Sequence, residues 1–220
     1  MMVDRSVNKV TKSVSITSFA TATLLLMVAV SMTVTDGLRM AYALPLEGTC
    51  AGHSIVRGDF DTTKSGDEVK IDGTVYYNGN SVTIGGITYK ITIVATTGLF
   101  YGTSDNNFIV GTNGNDTING DRGDDIIVGL GGDDYLYGDA LISATSGFND
   151  ILCGNDGNDY LYGDYLLGEF VPDNITGGND VLDGGDGNDV LYGDYILGYD
   201  GNDNITGGND VLDGGDGNDV

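Results

Sequence analysis

The second half of the chain, residues 102–220, repeats one short pattern of polar and apolar positions. Six residues that are mostly Gly, Asn and Asp are followed by three residues whose middle member is Leu or Ile. Alternation along a strand sends the middle side chain to one face and its neighbours to the other. The pattern therefore predicts three-residue strands between turns, with one core side chain each: Ile109, Ile118, Ile127, Leu136, Leu152, Leu161, Leu182, Leu191 and Leu212.

The strand pattern has a period of nine residues. Gly184–Tyr192 shows the whole unit, and residues 174–190 recur without change at residues 204–220. Two units form one coil of strand, turn, strand and turn, and stacked coils enclose a thin apolar column between two parallel sheets. We therefore predict an all-β fold, with a parallel β-roll (a β-solenoid of nonapeptide repeats) over residues 102–220.

Residues 44–101 have the pattern of a small β-rich unit. We predict that residues 44–67 are irregular, that Val69–Tyr77 forms one strand, and that a hairpin turn lies at Asn78–Gly79. The segments before and after Gly85–Gly86 predict two further strands, because they are rich in β-branched and aromatic residues. The sequence thus predicts a small N-terminal β cap that leads into the roll.

Residues 1–43 predict a secretory signal peptide. Basic residues among the first twelve precede an apolar run from Phe19 to Val34, and Ala41–Ala43 matches the small-residue cleavage pattern. An uncleaved anchor is the alternative, because the run approaches the ~20 residues of a membrane span. Cleavage after Ala43 leaves a mature chain without a membrane span. With either outcome we expect a secreted or cell-surface protein that faces the extracellular medium.

The charge of the chain is confined to its repeats. The net charge is −24, and residues 102–220 carry all of it, since Arg122 is the one basic residue among their 24 Asp and one Glu. A nucleic-acid partner is excluded, because such binding needs a basic surface. The 30 Asp greatly outnumber the 3 Glu, which indicates side chains that must fit into tight turns.

Stacked coils would bring aspartates of successive turns to about one strand spacing, ~4.8 Å, from each other. Such rows of carboxylates repel unless cations lie between them. Oxygen ligands in a flexible arrangement suit Ca²⁺ better than Mg²⁺, which tends to keep its water. Transition metals favour His and Cys, and the chain has 1 His and 2 Cys. We therefore predict several bound Ca²⁺ ions and folding that is coupled to calcium binding.

The nine-residue unit resembles the G-G-x-G-x-D-x-U-x repeat of the RTX (haemolysin-type) calcium-binding proteins. This resemblance covers residues 102–220 and implies a β-roll in which the sixth-position Asp and turn carbonyls bind Ca²⁺. The metal ligands that it implies at the sixth position are Asp116, Asp125, Asp134, Asp150, Asp159, Asp180, Asp189, Asp210 and Asp219. At the third position the implied contributors are Asp156, Asp186 and Asp216.

Three units are longer than nine residues, namely 138–153, 163–183 and 193–213. Turns alternate between the two edges of a roll, so all three insertions fall on one edge, which we call the insertion edge. The other edge keeps nine-residue units, and we call it the tight edge. We expect calcium first at the tight edge. Aspartates inside the insertions, Asp173, Asp200 and Asp203, either add ligands or are solvated.

Tyrosines occupy outward positions of the units on the tight edge. Tyr137, Tyr162 and Tyr192 take the ninth position, and Tyr135 and Tyr160 take the seventh. We expect them to stack as an aromatic ladder on one sheet face, either to stabilise the sheet or to bind a glycan or cell-surface partner.

Two cysteines, Cys50 and Cys153, remain in the predicted mature chain. A disulfide between them suits an extracellular compartment. The sequence does not show that they are close in space, so a free pair of thiols is the alternative.

The sequence favours a calcium-binding extracellular protein with a structural, adhesive or cell-surface role, and not an enzyme. Residues 44–101 contain neither G-x-S-x-G nor H-E-x-x-H, and His53, the single histidine, is interpreted as structural or solvated. The alternative is a fragment of a secreted hydrolase or toxin with its catalytic region beyond residue 220. We expect a truncated repeat protein, because Val220 occupies the seventh position of a unit.

Overall fold

The computed structural model describes residues 46–58, 68–142, 146–167, 174–198 and 204–220. The predicted signal peptide and its cleavage site lie outside the described residues. All helices and strands assigned in the described ranges are of one kind: they are β-strands, and none is a helix. No helix in these ranges is long and apolar enough to span a membrane.

The N-terminal strands form an antiparallel sheet, which we call the cap sheet. Its strands lie in the order β1 (Leu46–Cys50), β2 (His53–Gly58), β3 (Glu68–Ile71) and β4 (Thr74–Tyr77). The prediction that residues 44–67 are irregular was wrong, because β1 and β2 lie there. Both strands are short, and among their described side chains only Cys50 of β1 and Ile55 and Arg57 of β2 are buried, so the apolar pattern is weak.

The turns of this region also differ from the prediction. Val69–Tyr77 is not one strand, because Asp72 and Gly73 form a tight turn between β3 and β4 with φ angles of 48° and 82°. Asp-Gly suits such a turn, since both of its residues need positive φ. Asn78–Gly79 does not close a hairpin, since the strands on its two sides belong to different sheets. The predicted turn at Gly85–Gly86 does close one.

The repeats form two parallel sheets that alternate along the chain, as predicted. The first, which we call the cap-side sheet, contains β5 (Ser81–Ile84), β6 (Ile87–Ile93), β8 (Asn107–Val110), β10 (Ile126–Gly131), β12 (Ile151–Asp156), β15 (Val181–Gly187), β18 (Val211–Asp213) and β19 (Asp216–Gly217). The second, the tyrosine sheet, contains β7 (Leu99–Thr103), β9 (Thr117–Asp121), β11 (Tyr135–Ile142), β13 (Tyr160–Leu167) and β16 (Val190–Leu197).

The predicted apolar column fills the space between these sheets. Eight of its nine predicted members are buried and form one cluster, which Val94 and Phe100 join at the N-terminal end. The ninth, Leu212, is 46% exposed and lies on β18, at the end of the strand order of the cap-side sheet. We call this cluster the main column.

The cap covers the roll in two ways. The hairpin of β5 and β6 adds to the cap-side sheet, where β6 pairs in parallel with β8. The cap sheet packs against the outer face of the same sheet, and both sheets contribute to one cluster that includes Ile55, Val69, Phe108 and Ile126. The strands of the first coils are therefore buried on both faces.

A disulfide joins the cap to the roll. Cys50 at the end of β1 is bonded to Cys153 in β12, with their Cα atoms 5.6 Å apart and a sequence separation of 103. Beside it, the backbone N–H of Thr49 donates to Asn155 Oδ1 over 2.8 Å. The structure thus decides the question that the sequence left open. In the chain-entropy model, a loop of this length stabilises the fold by about 4–5 kcal/mol.

The insertions extend the sheets instead of forming only loops. Strands β11, β13 and β16 continue past the end of their units, and β14 (Asn174–Thr176) pairs in parallel with β17 (Asn204–Thr206). Leu166, Ile175 and Ile196 pack between these elements, and we call them the side column. Asp173, Asp200 and Asp203 lie outside the described residues.

Candidate metal centre

The sixth-position residues of the tight edge are linked in one ladder of hydrogen bonds. The backbone N–H of Asp134 donates to Asp159 Oδ1 in the next coil over 2.8 Å, and the N–H of Asp159 donates to Asp189 Oδ1 over 2.7 Å. The same bond recurs at both ends of the row, from Asp116 to Asp134 and from Asp189 to Asp219. One carboxylate oxygen of each acceptor is therefore used to join neighbouring coils.

The insertion edge has the same ladder. The backbone N–H of Asp125 donates to Asp150 Oδ1 over 2.7 Å, and the N–H of Asp150 donates to Asp180 Oδ1 over 2.8 Å. Asn107 begins this row with a bond to Asp125, and Asp210 accepts the last bond, from Asp180. The inserted residues thus leave the sixth-position ladder intact.

The second carboxylate oxygen, Oδ2, is buried without a hydrogen-bond partner in six of these residues. They are Asp125, Asp134, Asp150, Asp159, Asp180 and Asp189. All six residues are 0–1% exposed. An uncompensated buried carboxylate is costly, so these atoms require protons or cations.

Each of these Oδ2 atoms lies in a space that only glycine leaves open. A Cβ atom added to Gly129 would collide with Asp134 Oδ2 and lie 2.9 Å from the carbonyl oxygen of Gly154 in the next coil. The same arrangement recurs at Gly154, next to Asp159 Oδ2 and the carbonyl of Gly184. The first glycine of the unit therefore brings an open carboxylate oxygen and a backbone carbonyl oxygen together, which are the ligand types that Ca²⁺ prefers.

The raised pKa values of the ladder aspartates also indicate that their carboxylates require protons or cations. Burial raises the pKa of Asp125, Asp134 and Asp180 to about 8 and that of Asp159 to about 7, although a backbone N–H bond to each carboxylate opposes the shift. Burial also raises the pKa of Asp150 well above its ordinary value, and the nearby Asp139 adds to the shift. Near neutral pH, these carboxylates are therefore ready to exchange protons for a divalent cation.

Comparison with known proteins identifies the repeats. A family model described as the RTX calcium-binding nonapeptide repeat matches the chain in four copies, at residues 101–136, 144–164, 176–194 and 192–220. The repeat region therefore consists of RTX calcium-binding nonapeptide repeats. Its RTX repeats bind Ca²⁺, and the buried, open carboxylates of both edges fit that ion. No curated protein and no solved structure matches the chain.

The structure does not place all predicted ligands alike. The sixth-position residues lie in the two ladders, but the third-position Asp156, Asp186 and Asp216 are exposed and pair in register along the cap-side sheet. Asp116 also differs, because its Oδ2 accepts hydrogen bonds from the backbone N–H and the hydroxyl of Thr112. These four residues therefore lack the buried open oxygen that the six ladder residues share.

Sequence reasoning missed two further sets of residues. The fifth-position side chains form exposed ladders of their own, for example the bond from the N–H of Asn188 to Asn158 Oδ1 over 3.0 Å. The signal for this ladder was the Asn or Asp that precedes each sixth-position Asp. The second set is Asp139, Asp164 and Asp194, the Asp of each repeated Tyr-Gly-Asp, and its members lie against the ladder of the insertion edge.

Proposed function

We propose that this chain is an extracellular structural protein whose RTX roll folds when Ca²⁺ binds along its edges. The observation that carries the proposal is the set of six buried Oδ2 atoms without partners. We assign the calcium ligands to the ladder residues of both edges and to the carbonyl oxygens of the first glycines.

The charge balance supports coupled folding. Residues 102–220 contain Arg122 as their one base, and Arg122 is exposed, so no basic side chain of the repeats neutralises the buried carboxylates. At ten times its dissociation constant, each bound ion adds about 1.4 kcal/mol to the stability of the folded state. Several such ions amount to the stability of an ordinary domain.

Two features support the extracellular role. The Cys50–Cys153 disulfide is typical of oxidising compartments, and Ca²⁺ is abundant outside cells.

The single histidine has a structural role in the cap sheet, because His53 Nδ1 lies 2.6 Å from Asp72 Oδ2, and Asp72 also accepts the N–H of Ser54. A structural or adhesive role follows from these features more directly than an enzymatic one.

The test is circular dichroism of the purified chain with Ca²⁺ and with excess chelator, together with calorimetry of calcium binding. We expect β structure to be lost from the roll in chelator and regained when Ca²⁺ is added. Equal β content in both conditions would contradict coupled folding. The absence of any heat of Ca²⁺ binding would contradict the proposed function itself.

A second candidate function belongs to the outer face of the tyrosine sheet. Tyr135 stacks on Tyr160, and Tyr162 stacks on Tyr192, with ring centroids 4.7 and 5.1 Å apart. Tyr135, Tyr160 and Tyr192 remain 36–41% exposed. Rings stacked in this way present their edges together as one continuous aromatic surface to a sugar or an aromatic side chain.

We propose that this face binds a glycan or a cell-surface partner when the roll is calcium-loaded. Glycan-array binding of the wild type is expected to weaken in Tyr135→Ser and Tyr160→Ser. Leu99→Ser, at an exposed site on the first strand of the same sheet, is the control. If the wild type binds no glycan, or if the control weakens binding equally, the tyrosines only stabilise the sheet.

A further inference from the structure

The insertion edge carries a second row of acidic side chains beside its ladder. Asp139, Asp164 and Asp194 follow the first glycine of the three long units and pair in register along the tyrosine sheet. In chain order, Asp164 lies between Leu161 of the main column and Leu166 of the side column. Asp180 lies between Ile175 of the side column and Leu182 of the main column. The two rows therefore face each other where the two apolar columns meet.

The two rows approach closely enough for their carboxylates to share ions. Carboxylate oxygens of Asp139, Asp150 and Asp164 all lie within 4.8 Å of one another, and so do those of Asp164, Asp180 and Asp194. Asp164 belongs to both groups. Two oxygens on opposite sides of one Ca²⁺ are about 4.6–5.2 Å apart, against about 4.0–4.2 Å for Mg²⁺.

Each group also contains buried oxygens that no donor of the described residues satisfies while the carboxylates are ionised. Asp139, Asp150, Asp164 and Asp180 are 0% exposed, and Asp139 Oδ1, Asp150 Oδ2, Asp164 Oδ1 and Asp180 Oδ2 have no hydrogen-bond partner.

The remaining oxygens of the second row are held in place. Asp139 Oδ2 accepts the N–H of Phe148 over 2.7 Å, and Asp164 Oδ2 accepts the N–H of Gly178 over 2.5 Å. Asp194 Oδ2 accepts the N–H of Gly208 in the same way. One oxygen of each residue is thus fixed to the turn that leads into the next strand of the cap-side sheet, which leaves the other oxygen for a ligand.

We propose that the insertion edge holds two Ca²⁺ sites built mainly from carboxylates, one within Asp139, Asp150 and Asp164 and one within Asp164, Asp180 and Asp194. This inference rests on the proposed function, since it assumes a roll that is folded and loaded with calcium. These sites use the second-position Asp of the long units, which the nine-residue repeat does not assign to calcium. Three carboxylates surround each ion, so these sites fill at lower Ca²⁺ concentration than those of the tight edge.

Because Asp164 belongs to both groups, the inference predicts how many bound ions each variant loses. The number of bound ions is measured by equilibrium dialysis of the full chain against radioactive Ca²⁺. We expect Asp164→Asn to lose two ions, and Asp139→Asn and Asp194→Asn to lose one ion each. The control is Asp105→Asn, which makes the same charge change at an exposed position outside the ladders and is expected to keep the wild-type number.

The outcomes separate this inference from the proposed function. A wild type that binds no Ca²⁺ overturns both. A wild type that binds Ca²⁺, with variants that keep its ion number or lose ions in another ratio, overturns the inference alone. Circular dichroism in saturating Ca²⁺ checks that each variant folds. If Asp164→Asn does not fold, the ion numbers of Asp139→Asn and Asp194→Asn test the inference. Each of these variants alters one group only and should lose one ion.

Discussion

The two edges of the roll use the same aspartate ladder in different surroundings. At the tight edge, Asp159 lies under a six-residue turn whose third residue, Asp156, points to solvent. At the insertion edge, Asp180 takes the equivalent place, but its unit also contributes Leu166 and Ile175 to the side column, and a second buried carboxylate, Asp164, lies beside it. The ladder therefore depends on the sixth position alone, whereas the surroundings of an ion depend on how the chain connects two strands.

The largest expected difference concerns the two apolar columns. Leu161→Ala is expected to lower the free energy of unfolding of the calcium-loaded chain by about 4 kcal/mol, because Leu161 packs in the main column between both sheets. Leu166→Ala is expected to cost about 2 kcal/mol, because the side column has only three members among the described residues.

Urea unfolding in excess Ca²⁺ measures both values. Equal losses would mean that the side column belongs to the cooperative core as fully as the main column does. A loss below about 1 kcal/mol in Leu161→Ala would contradict the role of the main column.

The next effect concerns calcium at the two edges. Asp159→Asn and Asp180→Asn both keep an oxygen that accepts the ladder N–H, but each removes a carboxylate ligand, so at least a tenfold loss of affinity, about 1.4 kcal/mol, is expected at the altered site. In chelator the two should differ. Asp180→Asn relieves repulsion with Asp164 and Asp194, whereas Asp159→Asn relieves repulsion with Asp189 and Asp133.

Calorimetric titration gives the affinities, and urea unfolding in chelator gives the stabilities. We expect Asp180→Asn to be the more stable of the two variants without calcium, because it lies in the more crowded acidic group. The reverse order would show that repulsion is not greater at the insertion edge.

The pH dependence of the calcium-free chain tests the raised pKa values that both edges share. Burial raises the pKa of Asp159 to about 7 and that of Asp164 to about 9. A carboxyl whose pKa is raised in the folded state stabilises that state below its unfolded pKa, near 4, and the stabilisation is lost as pH rises through the folded value. Acid should therefore partly replace calcium at both edges, and this stabilisation is lost as pH rises, up to about 7 for Asp159 and about 9 for Asp164.

Circular dichroism in chelator between pH 4.5 and pH 9 measures this effect. We expect more β structure at the acid end and a fall between pH 7 and pH 9. With saturating Ca²⁺ the β content should not change over that upper range. A calcium-free chain whose β content rises with pH would contradict the raised pKa values.

The smallest effect is expected outside the ladders. Asp156→Asn changes an exposed residue of the tight turn, next to the ladder residue Asp159. We expect less than about 0.5 kcal/mol change in stability and no loss of a bound ion. A loss of affinity as large as that of Asp159→Asn would show that the third position supplies a ligand after all.

The period of the sequence predicted the roll, the main column and the tyrosine ladder, because each depends on one position repeated many times. The long units were harder to interpret. The inserted strand pair at Ile175 and Ile205 recurs only twice, so its apolar pattern was too short to distinguish from a loop. Asp164 could have been found from the repeated Tyr-Gly-Asp, which places the same acid at the same point of three units.

The position of the cap sheet was also difficult to predict from the sequence. Val110 and Val128 are buried at the outward ninth position, where later strands of the same sheet have Asp183 and Asp213. This difference indicates a covered face, but it does not say what covers it. Leu130 is an example, because it has a positive φ of 81° within β10 while its side chain packs under the cap.

The sequence by itself determined the strand period, the inward Leu and Ile, and the Asp that joins one coil to the next. These features follow from local geometry, since alternation and turn shape act within nine residues. Only the tertiary structure decided that Cys50 meets Cys153, that the cap lies along one face, and that Asp139, Asp164 and Asp194 meet a ladder from another row. These contacts join residues that are far apart in the chain, and their partners are set by how the coils stack.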